Sequence, residues 1–310
     1  MMIKPGLRDF FWVVAGALIT LILVLALMHF REDQSPVAQL AFKTKRIELA
    51  GKMRLALALS SEAGNSAVMA TTDRDSHNFA DQARAATILV EQDRRELTEL
   101  LRKGGTKNEE ELLAKFAQTF TEFQRIDKDL LNLAVRNTNL KAYRLAFGPA
   151  EEVLKEMDTE LTRIAEKAAG SAKDSCPMQQ LANEIRIGAL HIQTLLPPHI
   201  AEENDLKMDK LESLMAREDR NIRKKLEDLA GLLKSSGDSK DDEAVTARYA
   251  KFREIKAQII KLSRENTNVR SLAISLNEKR KVMLAGQDTL ASLVQAIEQE
   301  PIYGVPVNPR

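Results

Sequence analysis

Residues 116–139, FAQTFTEFQRIDKDLLNLAVRNTN, decide the fold of this chain together with residues 245–268, VTARYAKFREIKAQIIKLSRENTN. In both stretches apolar side chains recur every three or four positions, the spacing that places them on one face of an α-helix. Both end in the triplet Asn-Thr-Asn, whose polar side chains favour a turn or a helix cap. The two stretches therefore predict the same long amphipathic helix followed by the same polar turn.

The similarity extends over most of the chain, because residues 49–164 resemble residues 181–293. The separation in number is 132 in the first half of each copy, where Arg54 matches Arg186, and 129 in the second half. A three-residue length change near Gly104 separates the two registers, and we expect it to lie in a loop. One helical module has been duplicated, and each copy is predicted to contain four helical segments.

The composition is that of a helical protein. Hydrophobic residues make up 44% of the chain, enough for buried cores, and only 13 glycines and 9 prolines are present among 310 residues. Leu, Ala, Glu, Lys and Arg, all strong helix formers, are abundant. The 46 basic and 45 acidic residues give a net charge of +1, which offers no basic surface for nucleic acid. We therefore predict an all-α protein that does not bind nucleic acid.

An apolar run at residues 10–30, free of Asp, Glu, Lys and Arg, is long enough to cross a bilayer as one helix. Lys4 and Arg8 precede it, so the distribution of positive charge predicts a cytoplasmic N-terminus at residues 1–9 and places residues 31–310 outside. We expect a retained single-pass anchor. A cleaved signal peptide is the alternative, although the run is longer than is usual for one.

The domain boundaries follow from the repeat. We predict helical module 1 at residues 35–172, helical module 2 at 173–300 and an extended tail at 301–310, the two modules being tandem four-helix bundles. One elongated bundle of long helical hairpins is the alternative. Gly148-Pro149 predicts a kink or a new turn in the fourth segment of copy one, and Pro197-Pro198 predicts an interruption in the first segment of copy two.

Two short stretches carry a resemblance to a known family. Residues 66–73, SAVMATTD, and residues 139–150, NLKAYRLAFGPA, resemble the end of the first and the start of the fourth helix in the four-helix-bundle ligand-binding module of bacterial methyl-accepting chemotaxis receptors. The resemblance implies a tandem sensor module, outside the bacterial inner membrane, that binds a small ligand or a partner protein. Residues 31–310 contain no second apolar span and nothing like the family's signalling domain, so direct signalling across the membrane is not expected.

The sequence contains no recognisable catalytic or metal-binding motif. Its four histidines are scattered, and neither a zinc-binding helix motif nor a paired-cysteine motif is present. His199 and Glu203 are spaced to share a helix face toward a metal, but a solvated His-Glu pair just after the proline break is the preferred explanation. We therefore expect no enzymatic activity, no cofactor and no bound metal.

Candidate ligand-binding residues come from the repeat itself. Arg54 and Arg186 occupy matching positions, and an arginine between helices can hold a carboxylate through two hydrogen bonds. Both also suit a helix surface. Amide side chains that can bond a ligand, or instead cap helices, are those of Asn137, Asn139, Asn266 and Asn268.

These observations favour a membrane-anchored, extracytoplasmic helical sensor or binding module. Its expected partners are the membrane, through residues 10–30, and a small-molecule ligand or an envelope protein. A homodimer is compatible with such bundles, although no exposed seam can be distinguished from the core. The alternative function is a helical scaffold or spacer in the cell envelope.

Overall fold

The computed structural model describes residues 20, 35–169, 175–236 and 239–302. Every regular element in these ranges is helical, which confirms the all-α prediction. The predicted span at 10–30, apart from Thr20, and the tail after residue 302 lie outside the described residues. Within the described ranges, no helix combines the length and the apolar character that a membrane crossing requires.

Ten α-helices and one π-helical turn are present in the described part of the chain. In chain order they are α1 (Pro36–Met69), α2 (Asp73–Gly104), α3 (Lys107–Ala134), α4 (Thr138–Ala146), α5 (Pro149–Ala169), α6 (Ser175–Ala201), α7 (Asp205–Ser236), α8 (Ser239–Glu265), α9 (Thr267–Ile274), the π turn (Ser275–Lys279) and α10 (Arg280–Gln299). Copy one supplies α1 to α5, and copy two supplies the remainder.

Polar side chains fix the starts of the long helices. At α1, the hydroxyl of Ser35 accepts the backbone N–H of Ala38 at 3.1 Å. At α3, Thr106 and Glu109 form a reciprocal capping box, in which each backbone N–H donates to the other residue's side chain at 3.3 Å. These bonds satisfy backbone donors that the first helical turn leaves without partners, and so determine where each helix begins.

The helix boundaries reproduce the repeat and limit where its length change lies. Helices α3 and α8 begin at Lys107 and Ser239, which are still 132 residues apart. Phe116 and Val245, both fully buried, already match at a separation of 129. The three-residue change therefore lies before Phe116 and Val245, and its predicted place in the loop near Gly104 stays a prediction, because residues 237–238 of copy two lie outside the described residues. Because three residues are nearly one helical turn, the apolar stripe still faces the core.

The chain forms two compact units. Within the described residues, unit 1 comprises residues 35–60, 84–123 and 281–302. Its core unites α1, α2, α3 and α10, and includes the stacked rings of Phe116 and Phe120, whose centroids are 5.6 Å apart. The apolar side chains that α10 contributes are Leu290, Leu293 and Ile297, each with no exposed surface.

Unit 2 comprises residues 61–83 and 124–280, apart from 170–174 and 237–238. Its larger core joins α5 to α4, α6, α7 and α8, and α5 contributes Leu154, Met157, Leu161 and Ile164. A smaller core in the same unit joins the end of α1, the start of α2 and the end of α3. Burial of each leucine or isoleucine side chain stabilises such cores by about 1.5–3 kcal/mol.

The last helices of the two copies are exchanged between the cores. Helix α5 belongs to copy one but packs with helices of copy two, whereas α10 belongs to copy two and packs with helices of copy one. The modules predicted at 35–172 and 173–300 thus mark the sequence copies, while each compact unit combines parts of both. The repeat shows that α5 and α10 are equivalent, but equivalence does not specify which core each one completes.

The two proline-containing positions have different consequences. Helix α5 begins at Pro149, as Gly148-Pro149 predicts, because the first helical position requires no backbone N–H from proline. Pro197 and Pro198 instead lie inside α6, so the predicted interruption there is wrong. Proline has no N–H to donate to the carbonyl four residues back, but only three residues of α6 follow Pro198. The hydroxyl of Tyr143 donates to the Pro197 carbonyl at 3.4 Å.

Candidate functional site

The two Asn-Thr-Asn triplets meet in unit 2 and form one hydrogen-bonded cluster, which we call the triplet cluster. Asn137 and Asn266 directly precede α4 and α9, and their φ angles of 51° and 52° lie in the left-handed region. Asparagine adopts this region more readily than most residues. The side chains make no cap bonds to the following helices, so the predicted turn is confirmed while the amides bond elsewhere.

The central residues of the triplet cluster bond reciprocally. The backbone N–H of Thr138 donates to Oγ1 of Thr267, and the backbone N–H of Thr267 donates to Oγ1 of Thr138, both at 3.1 Å. The backbone N–H groups of Asn139 and Asn268 likewise donate to each other's Oδ1 at 3.1 Å. Matching bonds of equal length relate the two copies by a pseudo-two-fold axis through the cluster.

The asparagine amides complete the triplet cluster. Nδ2 of Asn139 donates to Oδ1 of Asn266 at 2.7 Å and to the carbonyl of Ile200 at 2.6 Å. Nδ2 of Asn268 donates to Oδ1 of Asn137 at 3.0 Å. The structure therefore brings all four predicted asparagines together, and most of their hydrogen-bonding groups are directed at one another.

The two predicted arginines occupy different environments. Arg54 lies on α1 and is exposed to solvent. Arg186 lies on α6, where its guanidinium contacts the Asp158 carboxylate of α5 and donates to Oγ1 of Thr162 at 2.7 Å. Arg186 therefore joins two helices of unit 2, and matching positions in the two copies have not produced matching surroundings.

A third arginine, Arg46 of α1, lies beside a cavity of about 480 Å³ in unit 1. Its side chain is only 2% exposed. The guanidinium carbon lies 4.7 Å from the centre of the Phe42 ring, a distance typical of a cation–π contact. Side chains that line the cavity with Arg46 and Phe42 include those of Lys43, Lys103, Glu300 and Ile302.

The hydrogen bonds of Arg46 leave one buried donor unused. Nη1 donates to Oε2 of Glu109 at 2.5 Å, and Nη2 contacts the Glu300 carboxylate. Within the described part of the chain, the Nε–H of Arg46 has no acceptor and Oε1 of Glu109 has no donor. Burial raises the pKa of Glu109, and the neighbouring Arg46 only partly offsets this. A buried polar atom without a partner costs about 1–3 kcal/mol, which an acceptor placed on Nε would recover.

The sequence indicates that Arg46 is buried, although the repeat does not single this residue out. Arg46 lies on the same helical stripe as Leu49, Ala50 and Met53, all of which have no exposed surface. A charged residue on an apolar stripe requires a buried partner or a site of its own. The matching position in copy two is Met178, so Arg46 is not among the residues that the two copies share.

His199 belongs to a buried polar group in unit 2. Its Nδ1 lies 2.8 Å from Oγ of Ser263, and its Nε2 lies 2.8 Å from Oε1 of Glu212. Ser263 is fully buried, and its hydroxyl donates to the His199 carbonyl at 2.9 Å, so it is not an accessible nucleophile. Glu203 lies beyond the end of α6 and is exposed, which means that the spacing of His199 and Glu203 does not place them on one helix face.

A buried ion pair joins the π turn to α3 within unit 2. Nζ of Lys279 lies 2.5 Å from Oδ1 of Asp127, and their side chains are 1% and 5% exposed. Burial lowers the pKa of Lys279, and the Asp127 carboxylate opposes that shift. Gly64 of α1 leaves room for this pair, because a Cβ at that position would force the Lys279 ammonium to shift.

Copy two carries the opposite charge at the position that matches Asp127. Lys256 lies there, and its Nζ is 3.6 Å from Oδ1 of Asp219, which also accepts the Tyr249 hydroxyl at 2.9 Å. Burial alone would raise the pKa of Asp219, but Lys256, the Tyr249 hydrogen bond and Arg253 together lower it. The two pairs are not equivalent in the repeat, because the partners Lys279 and Asp219 match Ala150 and Thr87.

Comparison with known proteins identifies no relative of this chain. No protein-family model matches the chain, and no curated protein sequence matches it significantly.

Proposed function

We propose that this protein is a membrane-anchored, extracytoplasmic helical binding module without enzymatic activity, and that the cavity beside Arg46 binds a small carboxylate. The apolar run at 10–30 and its flanking charges support the anchor and its orientation in a bacterial inner membrane. The resemblance to chemoreceptor sensor modules supports the binding role. The observation that carries the proposal is the buried Nε–H of Arg46 beside a cavity of ligand size.

The charges around the cavity favour an anion. Lys43, Arg46 and Lys103 line it, opposed among the lining residues by Glu300. A guanidinium binds a carboxylate through two parallel hydrogen bonds, which a lysine cannot reproduce. A ligand carboxylate placed on Arg46 would satisfy the unused Nε–H and compete with Glu300 for Nη2.

Glu300 gives ligand binding a route to helix displacement. It directly follows α10, and its side chain is 25% exposed, so it can leave Arg46 more easily than the fully buried Glu109. Nζ of Lys43 donates to the carbonyls of Glu298 and Glu300 at 2.6 and 2.8 Å, a favourable position for a cation at a helix C-terminus. Displacement of the Glu300 side chain would remove its ion pair with Arg46, one of the contacts that join the end of α10 to α1.

The experiment compares Arg46→Lys with Arg54→Lys in the full-length protein in detergent. Titration calorimetry with succinate and with benzoate measures the affinity of each variant. Lysine at position 46 keeps the charge next to Glu109 but removes the Nε–H, so we expect about a tenfold weaker affinity, equivalent to ~1.4 kcal/mol. Arg54→Lys alters the exposed arginine on the same helix, and we expect no change.

A second pair of variants tests the competition with Glu300. Glu300→Gln removes the internal carboxylate and is expected to tighten carboxylate binding, whereas Glu298→Gln, two residues earlier, is expected to leave it unchanged. Equal affinities for Arg46→Lys and Arg54→Lys would refute the site. Failure of the unaltered protein to bind any carboxylate would instead favour the scaffold or spacer function.

A further inference from the structure

We propose a second binding site in unit 2, independent of the Arg46 cavity, for an uncharged small molecule that carries a carbonyl or amide oxygen. The site is a cleft of about 430 Å³ beside the triplet cluster. This volume lies within the range of small-molecule pockets.

The cleft lies on the pseudo-two-fold axis of the triplet cluster. Ten of its eleven lining residues form five pairs at the separations of the repeat. These pairs are Val68 and Ile200, Met69 and Ala201, Asn139 and Asn268, Leu140 and Val269, and Tyr143 and Leu272. A position on the axis means that both copies face the same small volume, with one asparagine amide from each.

The symmetry fails at one hydrogen bond, and that failure leaves a donor in the cleft. Asn139 uses both of its amide N–H groups, for Asn266 and for the carbonyl of Ile200. Asn268 uses one, for Asn137. Val68 matches Ile200, but neither its carbonyl nor any other acceptor among the described residues takes the second N–H of Asn268.

The two helix corners explain the difference. In copy two, backbone carbonyls approach the triplet cluster, since Asn266 donates to the carbonyl of Glu202 at 2.8 Å and Asn139 donates to that of Ile200 at 2.6 Å. In copy one, the corresponding contact comes from a side chain, because Asn137 donates to Oδ1 of Asp73 at 3.1 Å. The Asp73 carboxylate accepts the bond that the Glu202 carbonyl accepts in the other copy, and residues 68–70 line the cleft.

The lining determines the chemical class of the ligand. No charged side chain is among the eleven, and the surroundings of Asn139 and Asn268 are aliphatic except for Tyr143. A charged ligand would lose its hydration without gaining a counter-ion, whereas an apolar ring would be buried favourably. One oxygen acceptor on that ring would satisfy the second N–H of Asn268. The cleft therefore fits a neutral aromatic amide or ketone better than the corresponding acid.

Benzamide and benzoate are matched probes, because they share a ring and differ in charge. Saturation-transfer NMR on the full-length protein in detergent measures the binding of each. We expect benzamide to bind with a dissociation constant on the order of 1 mM, an ordinary affinity for a molecule of this size. Leu272→Trp fills the cleft and is expected to weaken benzamide binding at least tenfold. Leu206→Trp adds the same ring at another exposed leucine and is expected to leave binding unchanged.

The outcomes also distinguish this site from the Arg46 cavity. Benzamide binding that survives Arg46→Lys and is lost in Leu272→Trp supports the cleft, whatever benzoate does. Equal benzamide affinity in Leu272→Trp and Leu206→Trp overturns the proposal, and so does an unaltered protein that does not bind benzamide at ~10 mM. Loss of benzamide binding in Arg46→Lys would place the probe in unit 1 and overturn it as well.

Discussion

The reciprocal threonine bonds at the centre of the triplet cluster allow a quantitative test. Thr138→Val keeps the shape of the side chain but removes the acceptor of the Thr267 N–H, at 3.1 Å, and the hydroxyl partner of Thr267, at 3.2 Å. Both residues are buried, at 3% and 0% exposure, so water cannot replace the lost bonds. An orphaned buried donor costs about 1–3 kcal/mol, and we expect Thr138→Val to lower the free energy of unfolding by about 2 kcal/mol.

The double variant makes this prediction more specific. Thr267→Val orphans the N–H of Thr138 and removes the same hydroxyl–hydroxyl bond, so the double variant loses that shared bond only once. Its cost should be about 1 kcal/mol less than the sum of the single costs. Urea unfolding of the full-length protein in detergent, followed by circular dichroism, measures all three variants. Thr159→Val removes an exposed hydroxyl of α5 and serves as the control, with an expected change below ~0.5 kcal/mol. Strictly additive costs, or single costs no larger than the control, would refute the reciprocal bonds.

Three other features give testable consequences. Gly64→Ala should destabilise the fold by about 1–3 kcal/mol in urea, because the new Cβ crowds the Lys279 ammonium. Gly51→Ala on the same helix meets no atom within 4 Å and should stabilise the fold by about 0.5–1 kcal/mol. Similar effects of the two variants would contradict this packing. Leu290→Ala should accelerate amide hydrogen exchange in unit 1, and Leu161→Ala should accelerate it in unit 2, because each lowers the free energy of unfolding by about 2–5 kcal/mol. Mass spectrometry measures the exchange, and the reverse pattern would argue against the exchanged helices. The folded-state pKa of Asp219 lies below its ordinary value of 3.8, so its stabilising contribution is present above pH 3.8 and is lost as the pH falls below that value. Asp219→Asn should therefore reduce the loss of stability at acidic pH, and an unchanged dependence of stability on pH would count against the charge cluster.

The features predicted correctly from the sequence depend on local signals. The apolar spacing of residues 116–133 predicts an amphipathic helix, and α3 has its apolar face in the core. The triplets at 137–139 and 266–268 predict turns, and both turns are present because asparagine accepts the left-handed backbone that the reversal requires. Each signal is complete within a few residues, so it can be read without knowledge of the tertiary structure.

The features that the sequence did not reveal depend on contacts between distant residues. Leu161 and Leu290 are equivalent in the repeat and equally buried, so nothing in either helix specifies which core it completes. The Arg46 site requires a carboxylate from Glu109 and another from Glu300, which are 63 and 254 residues away. The reciprocal pairing of Thr138 with Thr267 likewise needs both copies in place. Repetition reveals shared positions, whereas these three features arise from differences between the copies or from contacts between them.

The exchange of α5 and α10 has a consequence for the order of synthesis. Unit 2 receives nearly all of its segments by the time residue 280 leaves the ribosome, whereas the core of unit 1 must wait for α10. About 160 residues separate Phe123 from Arg280, so at ~5–20 residues per second the first three helical segments of unit 1 wait roughly 8–30 s for their fourth. During that interval the aromatic side chains of α3 are not yet covered by α10. A ribosome that stalls near residue 280 would therefore release a chain with a nearly complete unit 2 and an open unit 1, a nascent form that chaperones and proteases recognise by its exposed apolar surface.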